Sequence, residues 1–276
     1  MTKNKEHVRL SEERETLLVP LYSRAVESEK AKPIILDEKA REILTRVEYD
    51  FDALNIPASS AVMLCLRGKK LDDWTRAFLK KHPEALVLQL GCGLDSRYAR
   101  LNNPEVEWYD LDLPDVIELR REFFAESERY HMIPSSVTDW NWIDGISFTG
   151  KQVFVIAEGL FMYLAEEDVQ ELILKLRDAA GSYDLAFDAY SKLTAKRVNK
   201  HPSIKKTGAS VKWGINDARL MEEWAKGIRL RNEWYFTDAD EIGKLGFGTR
   251  LAFRIAGFFS TAKKAHRLLY FTIEGK

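Results

Sequence analysis

Ala85-Leu86-Val87-Leu88-Gln89-Leu90-Gly91-Cys92-Gly93-Leu94-Asp95-Ser96-Arg97 is the stretch that decides how this chain folds. Its first six residues form an apolar run interrupted only by Gln89, the pattern of a strand covered on both faces, and parallel sheets bury their strands this way. The glycines that end the run remove Cβ atoms where backbone must turn tightly and let a ligand approach it closely. Leu94 to Leu101 reads as the helix that follows. Strand, glycine turn and helix, in that order, make the place where open α/β sheets bind nucleotides.

Working outward, similar runs recur at Val106 to Leu111, Tyr130 to Pro134, Val153 to Ala157 and Tyr183 to Phe187, with helical spacing between them at Pro114 to Ser127 and Glu166 to Ala180. That alternation implies right-handed crossovers and a doubly wound α/β sheet. Two more strands, Arg229 to Phe236 and Arg267 to Ile273, bring the expected sheet to seven, mostly parallel. Upstream, Leu10 to Lys81 repeats apolar residues at helical spacing (Ala40, Ile43, Leu44, Val47) between prolines 20, 33 and 57. The chain therefore divides into a helical section, 1–84, and a core, 85–276. Within the core, 191–225 is expected to be an inserted cap: Ser191 to Lys212 is polar and lysine-rich and holds Pro202 and Gly208. Asn216 is expected to cap a helix carrying Leu220, Met221 and Trp224.

Composition closes several functional classes. With 45% apolar and 31% charged residues, the 276-residue chain can bury a sizeable core. Lysine and arginine number 42 against 43 acids, so no overall field draws it to nucleic acid or an anionic membrane. Lys205-Lys206 is too short for a nucleic-acid track, and Trp140, Trp142, Trp213, Trp224 and Trp234 read as core residues rather than base-stacking platforms. Cys65 and Cys92 have neither metal nor redox spacing, and His7, His82, His131, His201 and His266 form no His-x-x-x-His pair, so neither a metal site nor a disulfide framework is expected. The longest apolar stretch, Val153 to Ala165, is broken by Glu158 and Gly159. It falls short of the roughly 20 residues of a spanning helix, no signal-peptide core is visible, and a cytoplasmic location is expected.

Asp110 and Asp112 stand at the end of the second strand, where a carboxylate can accept hydrogen bonds from both ribose hydroxyls of a nucleoside. That suits NAD and S-adenosylmethionine alike, and two solvated aspartates beside a tight turn would look the same. Two details divide the cofactors. The third glycine of a dinucleotide fingerprint is replaced by Ser96, and Asp95, read as part of the first helical turn, would repel a pyrophosphate. S-adenosylmethionine has no phosphate, and its sulfonium is cationic. An NAD-dependent oxidoreductase and a cofactor-binding protein without turnover remain the alternatives to a methyltransferase.

Three motifs carry a resemblance: Leu90-Gly-Cys-Gly-Leu-Asp-Ser-Arg97, Trp108-Tyr-Asp-Leu-Asp-Leu-Pro114 and Ala157-Glu-Gly-Leu-Phe-Met-Tyr-Leu164. With Thr16-Leu-Leu-Val-Pro-Leu-Tyr-Ser-Arg24 and with Arg67 ahead of Asp72-Asp73, the chain resembles, over nearly its whole length, the leucine carboxyl methyltransferase family. Its bacterial branch includes polyketide O-methyltransferases of the tetracenomycin type. The resemblance implies a Rossmann-like class I methyltransferase fold and S-adenosylmethionine as cofactor. It places Arg67 on the cofactor's methionine carboxylate, a task suited to a guanidinium fork, whereas a surface ion pair with Asp72 or Asp73 is the alternative. Gly91 and Gly93 fall beside the methionine part, Asp112 on the ribose with Asp110 the second choice, and Glu158 just past the fourth strand, facing the cofactor. An acid in so apolar a setting needs a partner. Ser136 and Val137 occupy the adenine positions, where eukaryotic members carry an acid and then an apolar residue. Arg24 falls at or beside a lysine of those members. Tyr163 either faces the acceptor or packs.

Methyl transfer from a sulfonium is an in-line displacement, so alignment and desolvation suffice and no nucleophile is required. A carboxylate acceptor is already ionised and needs no base. A phenol, with a pKa near 10, would be helped by one, and only the isolated His201 and His266 are on offer, with no His–Asp pair expected. The expected acceptor is a small acidic or phenolic molecule entering between the N-terminal helices and the cap, with Lys196, Arg197, Lys212 and Arg219 as candidate attractors.

Overall fold

A computed structural model describes residues 15–199 and 210–276. Its seven-stranded sheet has β1 (Leu86–Leu90), β2 (Glu107–Asp112), β3 (Tyr130–Pro134), β4 (Val153–Ala157), β5 (Tyr183–Tyr190), β6 (Ile228–Tyr235) and β7 (His266–Ile273) in the order β3-β2-β1-β4-β5-β7-β6. The first five strands are parallel, and β7 runs antiparallel between β5 and β6. The order reverses between β1 and β4, where the crevice of a doubly wound sheet receives its ligand.

Both faces are covered, which explains the apolar runs of β1, broken only by Gln89, and of β4; every residue of both strands is buried. Leu86, Leu88 and Leu90 pack on one face with the helix Glu166–Ala180, whose Val169, Leu172, Ile173 and Leu176 recur at one-face spacing. Each such side chain contributes roughly 1.5–3 kcal/mol on burial. Val87 and Phe154 face the other way, toward Cys65, Leu66, Leu71 and Phe78 of α3 (Ala58–Lys81). Before α3 come α1 (Glu15–Ser28) and α2 (Glu38–Arg46), then a short 3₁₀ turn, Phe51–Leu54. Leu18 and Leu21 of α1 meet Ala40 and Ile43 of α2 and Leu94 of the glycine loop in one apolar cluster.

Several expected boundaries move, each for a local reason. The helix after β1 starts at Arg97 rather than Leu94, because the segment through Ser96 stays a loop. The one after β2 ends at Arg121, since Phe123 and Phe124 close tight turns onto Arg120. β5 runs to Tyr190, past the buried Asp188 that interrupts its apolar pattern. The helix expected after Asn216 is a 3₁₀ stretch, Ala218–Glu223, capped by Asp217, whose Oδ1 accepts from Arg219 N; Asn216 Oδ1 accepts from Lys192 N instead.

Of the expected cap, 200–209 lies outside the described residues, and with it His201, Pro202, Lys205, Lys206 and Gly208; His7 and Leu10 lie outside as well. The chain just beyond, at Lys212 and Trp213, is tied to the turn after β4: both backbone amides donate to Met162 O, at 2.8 and 3.1 Å. Among the described residues no helix is long and apolar enough to cross a membrane, and no His, Cys, Asp or Glu cluster could hold a metal.

Candidate active site

Gly91 and Gly93 hold φ of +64° and +50°, a region that side-chain-bearing residues enter at a cost. A Cβ on Gly91 would stand 3.0 Å from Leu160 Cδ1, and one on Gly93 3.1 Å from Leu17 Cδ2. The loop is turned by Gly91 N and Cys92 N, which both donate to Leu111 O, and by Gly93 N, which donates to Asp112 Oδ2 at 2.7 Å. Asp112 Oδ1 accepts from Leu113 N at 2.8 Å. Burial raises its pKa against the pull of those two donors.

Asp110, the second ribose candidate, is removed from consideration by the structure. Its side chain is fully buried beneath the sheet's end and accepts from Trp108 Nε1 at 2.8 Å, Tyr130 OH at 2.7 Å and the Arg120 guanidinium. Arg120 in turn donates to Gly93 O at 2.9 Å, so Asp110 supports the loop from behind.

In front of the loop lies a cavity of about 420 Å³. Arg24, Arg67, Gly91, Gly93, Glu158 and Tyr163, chosen from sequence, all line it. Asp112, Ser136 and Val137 do not: Asp112 stands against the loop, held by Gly93 N, Ser136 Oγ bonds Thr138 Oγ1 at 2.9 Å, and Val137 packs in the core with Leu111 and Trp142. Lys196, Arg197, Lys212 and Arg219 are exposed and stand away from the lining. The remaining wall is largely apolar, with Leu17, Pro20, Leu54, Met162 and Tyr190 among its residues.

Arg67 does not pair with Asp72 or Asp73. Nε donates to Glu158 Oε1 at 2.8 Å and Nη1 to Asp188 Oδ2 at 3.0 Å. Burial works against its charge, but Asp188 and Glu158 prevail and raise its pKa. Asp72 instead receives Arg97 Nε at 2.7 Å and Arg100 Nε at 2.9 Å, while Asp73 receives Lys69. Glu158 Oε2 takes Arg97 Nη2, which answers the requirement for a partner. The ion network runs on through Asp95, Arg24 and Asp37, so that among the described residues four buried arginines (24, 67, 97 and 100) meet five carboxylates (37, 72, 95, 158 and 188). Exposed Arg76 reaches its edge at 3.9 Å. Such a group tolerates an incoming cation readily.

Two expectations are overturned by this network. Asp95 is not in a helical turn aimed at a ligand: it precedes the helix, and Arg100, Arg97 and Arg24 overcome its burial to hold its carboxyl well below the usual range. Its charge is spent within the protein, so it does not repel a pyrophosphate as expected. There is also a His–Asp pair: His266 Nε2 lies 2.7 Å from Asp188 Oδ2, and Asp188 Oδ1 accepts from Gly159 N at 2.6 Å. Burial would raise the Asp188 pKa, but Arg67, His266 and the Gly159 amide hold it well below the carboxylate range. Burial lowers the His266 pKa despite Asp188, because Arg67 already neutralises that acid and Arg267 adds a second positive charge. His266 is not among the residues lining the cavity.

Asp188 was legible by the rule that singled out Glu158: an acid inside an apolar run, here Leu185-Ala-Phe-Asp-Ala189. Gln89, also in the lining, bears a related sign as the one polar residue of the β1 run, whereas Tyr190 carries none.

Comparison with known proteins places this geometry. The leucine carboxyl methyltransferase family matches residues 18–177, more than half of the chain. A tetracenomycin polyketide synthesis O-methyltransferase, TcmP, of Streptomyces glaucescens is 36% identical, covering 97% of this chain and 99% of its own. An S-adenosyl-L-methionine-dependent methyltransferase, dpfgK, of Gibberella zeae is 27% identical over 94% of each. Among solved structures, a DUF574 family protein from Streptomyces avermitilis shares the fold at a TM-score of 0.60, with 13% identity, over 96% of this chain and 100% of that one. The chain belongs to the leucine carboxyl methyltransferase family.

Proposed function

We propose that this protein is an S-adenosylmethionine-dependent O-methyltransferase that methylates a carboxylate or phenolic oxygen of a small molecule. The observation that carries the reading is Arg67. It is buried at the mouth of the glycine loop with Nε and Nη1 engaged, while Nη2 has no hydrogen bond among the described residues. A guanidinium presents five N–H donors in a fixed fork, so the free edge suits the cofactor's methionine carboxylate. Asp112 uses each oxygen once and keeps lone pairs for ribose hydroxyls. Gly91 and Gly93 leave room for the chain between them.

The bound cofactor supplies an electrophilic methyl group. The protein's part is placement: the apolar wall of Leu17, Pro20, Leu54 and Met162 excludes water and holds the acceptor oxygen in line. A carboxylate enters already ionised. Burial raises the pKa of Tyr163, so its hydroxyl stays protonated and donates to the acceptor rather than removing its proton. We place the reaction in the cytoplasm, where buried Cys65 and Cys92 persist as free thiols.

Calorimetry with S-adenosylhomocysteine and with NAD tests the cofactor, and labelled methyl transfer to a panel of aromatic acids and phenols tests the chemistry. Binding of S-adenosylhomocysteine with labelled ester or ether is the expected result. NAD binding without any response to S-adenosylhomocysteine would overturn the reading, and cofactor binding without product from any acceptor would reduce the protein to a cofactor binder.

A further inference from the structure

One cavity residue has a polar atom to which the proposed function gives no role. Gln89 stands on β1 between Leu88 and Leu90, turned to the face that meets α3, and is 2% exposed. Its Nε2 donates to Asp95 Oδ2 at 2.9 Å. A carboxylate held ionised by three arginines only accepts, so this bond fixes the amide's orientation and Oε1 faces the other way. Oε1 is buried, and it has no hydrogen-bond partner among the described residues. Native structures seldom bury an amide oxygen without a donor, because the water it gave up is not replaced. Gln89 lines the cavity beside the glycine loop, together with Arg67 and Glu158.

We infer that Gln89 Oε1 accepts an N–H from the ammonium group of the cofactor's amino-acid part, making Gln89 a binding residue for that group. The inference rests on S-adenosylmethionine being the cofactor and adds the partner for the second charge of its methionine moiety. The chemistry selects an ammonium on two grounds. The orphan is an acceptor, so its partner must donate, and the surrounding network carries five carboxylates against four buried arginines, which favours a cationic donor over a neutral one. Arg67 and Gln89 then read the two ends of one zwitterion, the guanidinium taking its anion and the amide oxygen its cation. Asp95 acts through Gln89 by holding the amide in place.

The test compares S-adenosylhomocysteine with its desamino analogue, which keeps the carboxylate and lacks the ammonium, by calorimetry on the full chain. Wild-type protein should bind S-adenosylhomocysteine about 10- to 100-fold more tightly, the range for a hydrogen bond to a charged group. In Gln89→Met, near in shape and without the acceptor, that preference should collapse to within about threefold, while affinity for the desamino analogue stays close to wild type. Gln89→Asn, which keeps an amide but withdraws its oxygen, should give the same collapse and serves if the methionine variant does not fold. No preference in the wild type, an unchanged preference in a folded variant, or equal loss of both ligands would overturn the inference and leave Gln89 a support for Asp95. Failure of wild-type protein to bind S-adenosylhomocysteine at all would instead overturn the choice of cofactor.

Discussion

Asp188 shows how much one side chain can organise. Three donors converge on it, from Arg67, His266 and the Gly159 amide, so it fixes the guanidinium and the loop after β4 together. Asp188→Asn keeps the shape and removes the charge. Loss of a charged hydrogen bond is expected to weaken S-adenosylhomocysteine binding by about 1.5–3 kcal/mol, or roughly 10- to 150-fold, measured by calorimetry, with acceptor KM little changed. A variant with unaltered cofactor affinity would show that Arg67 needs no such clamp. The same residues set a pH dependence. His266 titrates in the folded protein below its usual value near 6.5, so the unfolded chain binds more protons between the two, and stability should rise with pH through that window and fall on acidification. Asp188 is likewise depressed, adding a second loss only below the ordinary carboxylate range. Urea unfolding at successive pH values checks this, and His266→Gln should flatten the first part of the decline.

Elements were more legible than their ends. Apolar runs placed the first five strands, most plainly β1 and β4, which are buried throughout; β6, whose residues are mostly exposed or half-buried, carries no such run. The reading failed where a polar residue is buried with a partner that sequence cannot show: Asp188 prolongs β5, and Arg120, drawn to Asp110, takes part in the turns that close the helix after β2. The candidate site was readable wherever a residue type is unusual for its setting, as with Gly91, Gly93 and Glu158, while Arg67 was reached only through the family resemblance. The role of Gln89 was unreadable, because it depends on which of its atoms is already satisfied. For the glycine loop, Gly91→Ala must adopt φ near +64° and press Leu160, so cofactor affinity should fall at least tenfold, with a stability loss of about 1–2 kcal/mol. For the 3₁₀ turn Phe51–Leu54, which stacks Phe51 on Tyr22 with ring centroids 5.3 Å apart, Leu54→Trp should fill the apolar wall. Acceptor kcat/KM should drop while S-adenosylhomocysteine affinity holds; equal loss of both would place Leu54 on the cofactor side.

Across the whole molecule, the ion network stitches the helices before β1 to the sheet. Asp37 at the start of α2 receives Arg24 Nε and Arg100 Nη1, each at 2.8 Å, and Asp72 of α3 receives Arg97 and Arg100. Asp37→Ala would leave those buried cations short of a partner, a change that costs about 3–5 kcal/mol in such settings, read as a lower urea midpoint with unchanged slope. An effect under about 1 kcal/mol would show that the remaining acids compensate. The network has a further consequence for descent. The stretch from α1 to the turn after α2, which lines the cavity, cannot be exchanged between relatives as a detachable module unless Asp37 travels with it, since an incoming stretch lacking that acid leaves the buried Arg100 short of a partner. New acceptor preferences in this lineage should therefore arise by point changes along the apolar wall, at positions such as Leu17, Leu54 and Met162, while the charged lattice behind them is inherited as a single block.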